Sequence, residues 1–340
     1  SSCNPADYPN LVALSNANSN AFISAQFVSA PAAPFNGRAT AFVDDSAAPG
    51  GDGSSGLPYQ TIAAGIGGAL FGGTVNVAAG TYTELVNANR SLTFTGVGTP
   101  MVMAPAGSNQ TIFTIAAANV TIQGFKITVN RPSAAAGIAA IDPASFSGAQ
   151  ILNNTIQSTG TGSTFSTPVG NTSAAGIALL GNGGAIESVT IKGNTINSGD
   201  ATNFFSRAIW LREVQATVGG ATAPEGNTLV ATTQDLLNQF ASGGTTLVQN
   251  NTFNGAGIDF TEPNNSPSTI NIQNNQFAPG SPLFSQSCLI KHNYLNVPVN
   301  IANNTFTGHT TGIWTGGSQN VTINGNSFTP ATGLASYQNI

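Results

Sequence analysis

Short runs of alternating apolar and polar residues recur along the chain, each followed by a pair of small amide or glycine residues and then another apolar side chain. The copies read TIQGFKI (121–127), QILNNTI (150–156), TIKGNTI (190–196), LVQNNTF (247–253), NIQNNQF (271–277), NIANNTF (300–306) and TINGNSF (322–328). Period-two alternation puts the apolar residues of each run on one face of a strand. The Asn/Gly pair tolerates left-handed backbone angles, so it predicts a corner rather than a continuation. A corner that returns every few tens of residues, always between inward-facing apolar positions, predicts stacked coils.

A second phrase lies between the copies: AAGIAAID (135–142), AAGIALLG (174–181), SRAIWLRE (206–213), GAGIDFTE (255–262) and TTGIWTGG (310–317). It reads as another strand with Ile inward and the following residue outward. The spacing of the first phrase runs 29, 40, 57, 24, 29 and 22 residues from Ile122 through Ile151, Ile191, Val248, Ile272 and Ile301 to Ile323. The shortest intervals fit one coil of three strands. The interval of 57 is long enough for an extra coil plus TTQDLLNQF (232–240), which is expected to form a short helical excursion. In stacked coils, equivalent residues lie over one another at roughly 4.8 Å, so Asn154, Asn194, Asn251, Asn275, Asn304 and Asn326 are expected to pass amide hydrogen bonds along one edge. The competing reading is a β-sandwich with Asn-Gly hairpins, which would not keep the second phrase in place. The fold class expected is all-β, a right-handed parallel β-helix over residues 41–340, with residues 1–40 as an apolar N-terminal extension that caps the coils or docks on another subunit.

Composition narrows the partners. Only 6% of the 340 residues are charged, against roughly 25% in an ordinary soluble domain. Asn, Ser and Thr with 40 glycines supply a neutral polar exterior, and the 40% hydrophobic content argues against charge-driven disorder. With 8 Lys plus Arg against 13 Asp plus Glu, the net charge is −5, and no basic run would neutralise a phosphate backbone, so nucleic acid is excluded as a partner. The most apolar stretch, AFISAQFVSAPAAPF (21–35), is broken by Gln and Pro, and no membrane span is expected. The start SSCNPADYP has the look of a mature end left by signal-peptide removal, which points to an extracellular or cell-surface protein. Cys3 and Cys288 are open to pairing within the chain, pairing between chains, or remaining free thiols.

The repeats, together with AFVDDSAAPGGDGSSGLPYQTIAAGIGGALFGGTVNVAAGTYTE (41–84), resemble right-handed parallel β-helix proteins of the pectate-lyase-like superfold. The stretch is similar to the entry segment of secreted members: a strand, an acidic Gly-rich loop, a helix opened by Thr-Ile, then the first coils. The resemblance speaks for fold and little for function, because this fold carries lyases, hydrolases, adhesins and inert fibres alike. In its lyases the second phrase forms the substrate face, where carboxylates hold calcium and an Arg or Lys removes a proton alpha to a uronate carboxyl.

By that resemblance the outward positions are Ala139, Ala178, Trp210, Asp259 and Trp314, followed by Arg212 and Glu213 in one copy and Thr261 and Glu262 in another. If SQSCLIKHN (285–293) is the intervening coil, with Cys288 in the Ile place, Lys291 and His292 line up with them. An enzyme would use Arg212 or Lys291 as base, Asp259, Glu213 and Glu262 as Ca²⁺ ligands, and Trp210 or Trp314 to stack on a sugar ring. The other meaning of these residues is a surface salt-bridge network. Asp44, Asp45 and Asp52, in a Gly-rich loop, are read as turn and cap residues. His292 and His309 match no metal-ligand spacing, and no phosphate-binding loop or nucleophile elbow is visible.

Two functional classes follow. The first is a non-catalytic extracellular structural protein, a surface, sheath or filament component that self-associates and needs no cofactor. The second is a calcium-dependent polysaccharide lyase or related glycan-active enzyme.

Overall fold

The computed structural model describes residues 37–108, 110–129, 136–141, 145–159, 175–181, 187–197, 205–231, 234–239, 244–261, 268–278, 290–293, 297–309, 312–316 and 320–330. The N-terminal extension up to residue 36, both cysteines and Glu262 lie outside them.

Within 37–330 the chain winds through three parallel sheets in turn. Sheet 1 has 11 strands from Arg38–Val43 to Val321–Asn324, sheet 2 has 10 from Thr81–Thr83 to Ser327–Pro330, and sheet 3 has 9 from Val86–Ala88 to Ile313–Gly316. Each strand pairs in parallel with its counterpart one coil before and one coil after, the arrangement of a right-handed parallel β-helix. Alternation along each strand fills the bore. In sheet 1 the column Phe94, Ile122, Ile151, Ile191, Val218, Val248, Ile272 and Ile301 is fully buried, and its register is continuous. In sheet 2 the corresponding column passes from Ile127, Ile156, Ile196 and Leu229 to four stacked rings. Phe253, Phe277, Phe306 and Phe328 follow one another at 4.8, 4.7 and 4.7 Å between centroids, within 8° of parallel. Their spacing is set by the ladder, since neighbouring strands lie about 4.8 Å apart.

The corner between sheets 1 and 2 explains the Asn/Gly pairs. Its first residue has positive φ: 54° at Asn153, 68° at Gly193, 56° at Asn250, 57° at Asn274, 56° at Asn303 and 62° at Gly325. Asparagine and glycine tolerate this region better than other residues. The asparagine that follows is buried in every coil from Asn154 to Asn304. Its Nδ2 donates to Oδ1 of the next, at 3.1 Å (Asn154 to Asn194), 3.0 Å (Asn194 to Asn227), 2.9 Å (Asn227 to Asn251), and 3.0 Å for Asn251 to Asn275, Asn275 to Asn304 and Asn304 to Asn326. The main-chain N–H of each donates to the same oxygen, and the second Nδ2 proton returns to a carbonyl of the preceding coil, such as Ile151 for Asn194. The corner's buried polar groups are thus paired without water.

Asn227 belongs to the extra coil inside the interval of 57. The expected helical excursion in that interval is corrected: Gln234–Gln239 is a strand of sheet 3, paired with Arg207–Arg212 on one side and Ile258–Thr261 on the other. Two flanking parallel strands satisfy its backbone better than an isolated helix too short to be stable alone.

The first end of the stack is closed. Helix Ile62–Gly68 buries Ile62 and Ile66 against the bore. Thr61 Oγ1 caps it by accepting from the Ala64 N–H at 3.1 Å, and Glu84 accepts from the N–H groups of Ile62 (2.8 Å) and Ala63 (3.0 Å). The loop after Val43 covers the outer edge of the first strand: Phe42 N–H donates to Gly53 O and Tyr59 N–H to Phe42 O, both at 2.9 Å. The loop's aspartates act as turn and cap groups. Asp44 accepts from Ser46, Asp45 from the Thr81 N–H at 2.7 Å, and Asp52 from Ser54 N–H and the Arg38 guanidinium.

Candidate functional site

Sheet 3 carries the residues that the second phrase placed outward. Its pairing runs Ala139, Ala178, Trp210, Leu237, Asp259, Lys291, Trp314 as one column. The neighbouring column two positions on runs Leu180, Arg212, Gln239, Thr261. This corrects the expected alignment. Ile290, not the residue two positions before it, pairs with Ile258 and Ile313 in the inward column, so Lys291 stands beside Asp259 and Trp314. His292 pairs with Phe260 and Thr315. Arg212 and Lys291 therefore belong to different columns, and the strand Gln234–Gln239, in the segment expected to be helical, separates Arg212 from Asp259.

The side chains refine the picture further. Arg212 donates from Nε (3.1 Å) and Nη2 (2.7 Å) to the Gly181 carbonyl one coil earlier, a structural clamp across the end of the strand. Glu213 follows at φ 55°, and its Oε2 is buried with no hydrogen-bond partner among the described residues. Trp210 points away from the bore but is fully buried, which corrects its expected role as an exposed sugar platform. The alanine columns beside it leave room, and the indole fills it in a small cluster with Ala136, Ala139, Ala175, Ala178 and Leu180. The Arg207 guanidinium covers the ring with its carbon 4.6 Å from the centroid. Trp314, by contrast, is 43% exposed.

Two groups were not foreseen. Arg207 pairs with Ala175, which pairs with Ala136, so a guanidinium occupies a column otherwise lined by small side chains. Burial lowers its pKa from the ordinary arginine value, and the charge of Asp259 opposes that effect. The signal was present as the sole charge at that place in the second phrase. Asp235 is fully buried in the strand expected as helix. Its Oδ1 accepts from the Ala231 N–H (2.7 Å) and its Oδ2 from those of Gly255 (2.9 Å) and Gly257 (3.0 Å). Burial pushes its pKa up to about 7, with the backbone donors opposing.

Chemically, the column holds the buried Asp259 carboxylate and the exposed Trp314 indole two coils apart, roughly 10 Å along the axis, with the Lys291 position between them. The carboxylate donors do not gather around one point: among the described residues no group of three His, Cys, Asp or Glu side chains could hold a metal ion. No helix among them is long and apolar enough to cross a membrane.

No protein-family model and no curated protein sequence matches the chain. Solved structures do resemble it. The Dettilon tailspike protein superposes with a TM-score of 0.52 at 16% identity, over 88% of this chain and 61% of that one. The GH136 lacto-N-biosidase from Eubacterium ramulus gives 0.49 at 11%, over 88% and 66%, and PfbA, a surface adhesin of Streptococcus pneumoniae, gives 0.40 at 12%, over 77% and 85%. The chain spans less than two thirds of the tailspike and of the lacto-N-biosidase. At these identities the likeness is one of fold alone: the chain is a right-handed parallel β-helix, a fold it shares with the Dettilon tailspike protein.

Proposed function

We propose that the chain is a non-catalytic extracellular structural protein, a cell-surface, sheath or filament subunit that associates with further copies of itself. The observation that carries this reading is the separation of Arg212 from Lys291, with the Arg212 guanidinium engaged by the Gly181 carbonyl. A lyase needs its base and several carboxylates around one reacting carbon; Arg212 and Glu213 stand two coils from Asp259, which leaves Asp259 as the one described carboxylate in register with Lys291. The exterior supports the same reading. Along sheet 1, outward amides and hydroxyls bond to their counterparts one coil away: Gln123 to Thr95, Gln273 to Gln249 and Asn300 to Asn271. Such a surface is neutral and largely self-satisfied, suited to repeated contact rather than to chemistry. Electron microscopy of native material tests the proposal: ordered sheaths or filaments labelled by antibody to this chain are expected, and a dispersed monomer would overturn it.

A second reading, a calcium-dependent polysaccharide lyase or other glycan-active protein, is favoured by one observation, the adjacency of Asp259, Lys291 and Trp314 in a single column. Lys291 would then be the base and Trp314 the sugar platform. Calcium would lower the pKa of the proton alpha to a uronate carboxyl. Of the described oxygen donors, Asp259 lies on the strand Ile258–Thr261 and Glu213 just past the end of Arg207–Arg212 two coils earlier, and they do not by themselves form its site. Eliminative cleavage of uronate polymers with calcium, followed by ultraviolet absorbance, would favour this reading over the first.

A further inference from the structure

The outward face of sheet 2 is regular, open to solvent and, over most of its length, free of charge. Thr155, Thr195, Thr228 and Thr252 follow one another in register from coil to coil; Gln276 takes the next place, then Thr305 and Ser327. Thr195, Gln276, Thr305 and Ser327 are exposed and the others half-buried. Lys126 stands one coil before this run, and the positions two residues further along each strand, from Gln157 to Thr329, hold no charged and no aromatic side chain. None of the five threonine hydroxyls makes a hydrogen bond to another described residue. On sheet 1, by contrast, outward groups bond to one another, as Gln273 does to Gln249.

The face is also flat. Behind it the rings of Phe253, Phe277, Phe306 and Phe328 stack at 4.8, 4.7 and 4.7 Å, within 8° of parallel, and each belongs to the residue directly after an outward member of the column. Coils that hold their rings in this way are displaced along the axis with almost no rotation, whereas an ordinary sheet turns by about 20° per strand. The hydroxyls in front of them therefore repeat along a straight line at about 4.8 Å.

We propose that this face binds ice, by holding water in the order of the ice surface. Each threonine offers an Oγ1 that holds one water and a methyl group that restricts how that water can turn. The repeat along the column is close to the spacing of like oxygen atoms along the a axis of hexagonal ice, so the held waters fall in register with the crystal. Ice is flat, periodic and without net charge, as the face is. A charged polymer finds nothing here to pair with, and a sugar chain finds no aromatic ring to lie on. A second copy of the chain gains too little: the strip measures about 30 Å by 10 Å, roughly 300 Å², against about 800 Å² per partner in a stable protein interface. Sheet 1 carries threonines in a comparable column, Thr93, Thr121, Thr190 and Thr217, but Gln150 and Leu247 interrupt it. Lys192, paired with Glu225 at 2.9 Å, stands in the column beside it. Ice binding goes beyond the structural role proposed above and does not depend on it.

The test uses the full chain and ice itself. Nanolitre osmometry of the wild type is expected to show a gap between melting and freezing points with faceted crystals, and frozen films to show arrested recrystallisation. Thr195→Tyr/Thr228→Tyr, which sets two rings over the row, should abolish both effects. Thr195→Lys alone, at an exposed position where a charge is tolerated, should do the same, with an unfolding midpoint close to that of the wild type. Thr190→Tyr, the same kind of change on sheet 1, should retain full activity. A folded wild type without a freezing gap overturns the proposal, as does unchanged activity in both sheet 2 variants or equal loss in Thr190→Tyr. Co-sedimentation of the wild type with crystalline cellulose or chitin, without partition into growing ice, would give the face to a neutral polysaccharide and overturns it as well.

Discussion

Asn194 donates from Nδ2 to Oδ1 of Asn227 at 3.0 Å, and Asn227 in turn donates to Asn251 at 2.9 Å. The middle residue belongs to no copy of the recurring phrase. Its coil departs from the others because residues 219–226, including the turn Ala223–Glu225, stand between the strand Val214–Val218 and the corner. The corner residue before it, Gly226, has φ −68° instead of the positive value found elsewhere. The hydrogen-bonded run continues regardless, because position in the stack is set by pairing with the coils on either side.

Replacing Asn227 by Ala would leave the N–H and Nδ2 of buried Asn194 without their acceptor. Each unsatisfied buried donor costs about 1–3 kcal/mol, so a loss of roughly 2–5 kcal/mol in urea denaturation is expected. Asn326→Ala should cost less, since that end is partly exposed. Equal and small losses at both positions would mean that the run contributes little.

Stability should depend on Asp235 in a defined pH window. Its pKa is raised from 3.8 to about 7 by burial, so the folded state holds a proton that the unfolded chain has released. Stability from this group is present below about pH 4, falls as pH rises towards 7, and is level above it. Thermal midpoints across pH 4–8 should show this fall in the wild type and a flatter profile in Asp235→Asn, which is destabilised throughout because an amide N–H2 replaces one acceptor of the backbone donors. Parallel profiles for the two proteins would contradict the assignment.

The two tryptophans should separate stability from surface recognition. Trp210→Ala opens a cavity in the alanine-lined cluster and removes the surface under Arg207, with an expected loss of about 3–5 kcal/mol. Trp314→Ala, at a site 43% exposed, should change stability by less than about 1 kcal/mol. If the column recognises a glycan, affinity measured by glycan array should drop for Trp314→Ala while Trp210→Ala, where it folds, retains binding.

Arg212→Ala should lower the unfolding midpoint, since it removes two charge-assisted hydrogen bonds to Gly181. A net loss of about 1–3 kcal/mol is expected, with no change in any activity on uronate polymers. Lys291→Ala provides the contrast. Should calcium-dependent cleavage exist, it is expected to vanish with Lys291→Ala alone; equal loss of cleavage in both variants, with folding intact, would restore Arg212 to a catalytic role.

The sequence by itself determined the coiled architecture. Asn or Gly at a corner with positive φ, apolar residues alternating into the bore, and Phe at a constant offset are local requirements, and local requirements leave marks in one dimension. Turn duty for Asp44, Asp45 and Asp52 was legible for the same reason, because each bonds within its loop or to the strand that follows. Lateral pairing decided the rest. Sliding a strand by two residues keeps every side chain on its own face, so alternation cannot distinguish Ile290 from the residue two places earlier as the inward position; only pairing with Ile258 and Ile313 does, and that choice moved Lys291 from the column of Arg212 to that of Asp259. The strand Gln234–Gln239 was hidden because its adjacent leucines fit either period, and its conformation comes from the two strands beside it. Burial of Trp210 likewise depends on alanines one and two coils away, residues brought beneath the indole only when the coils stack.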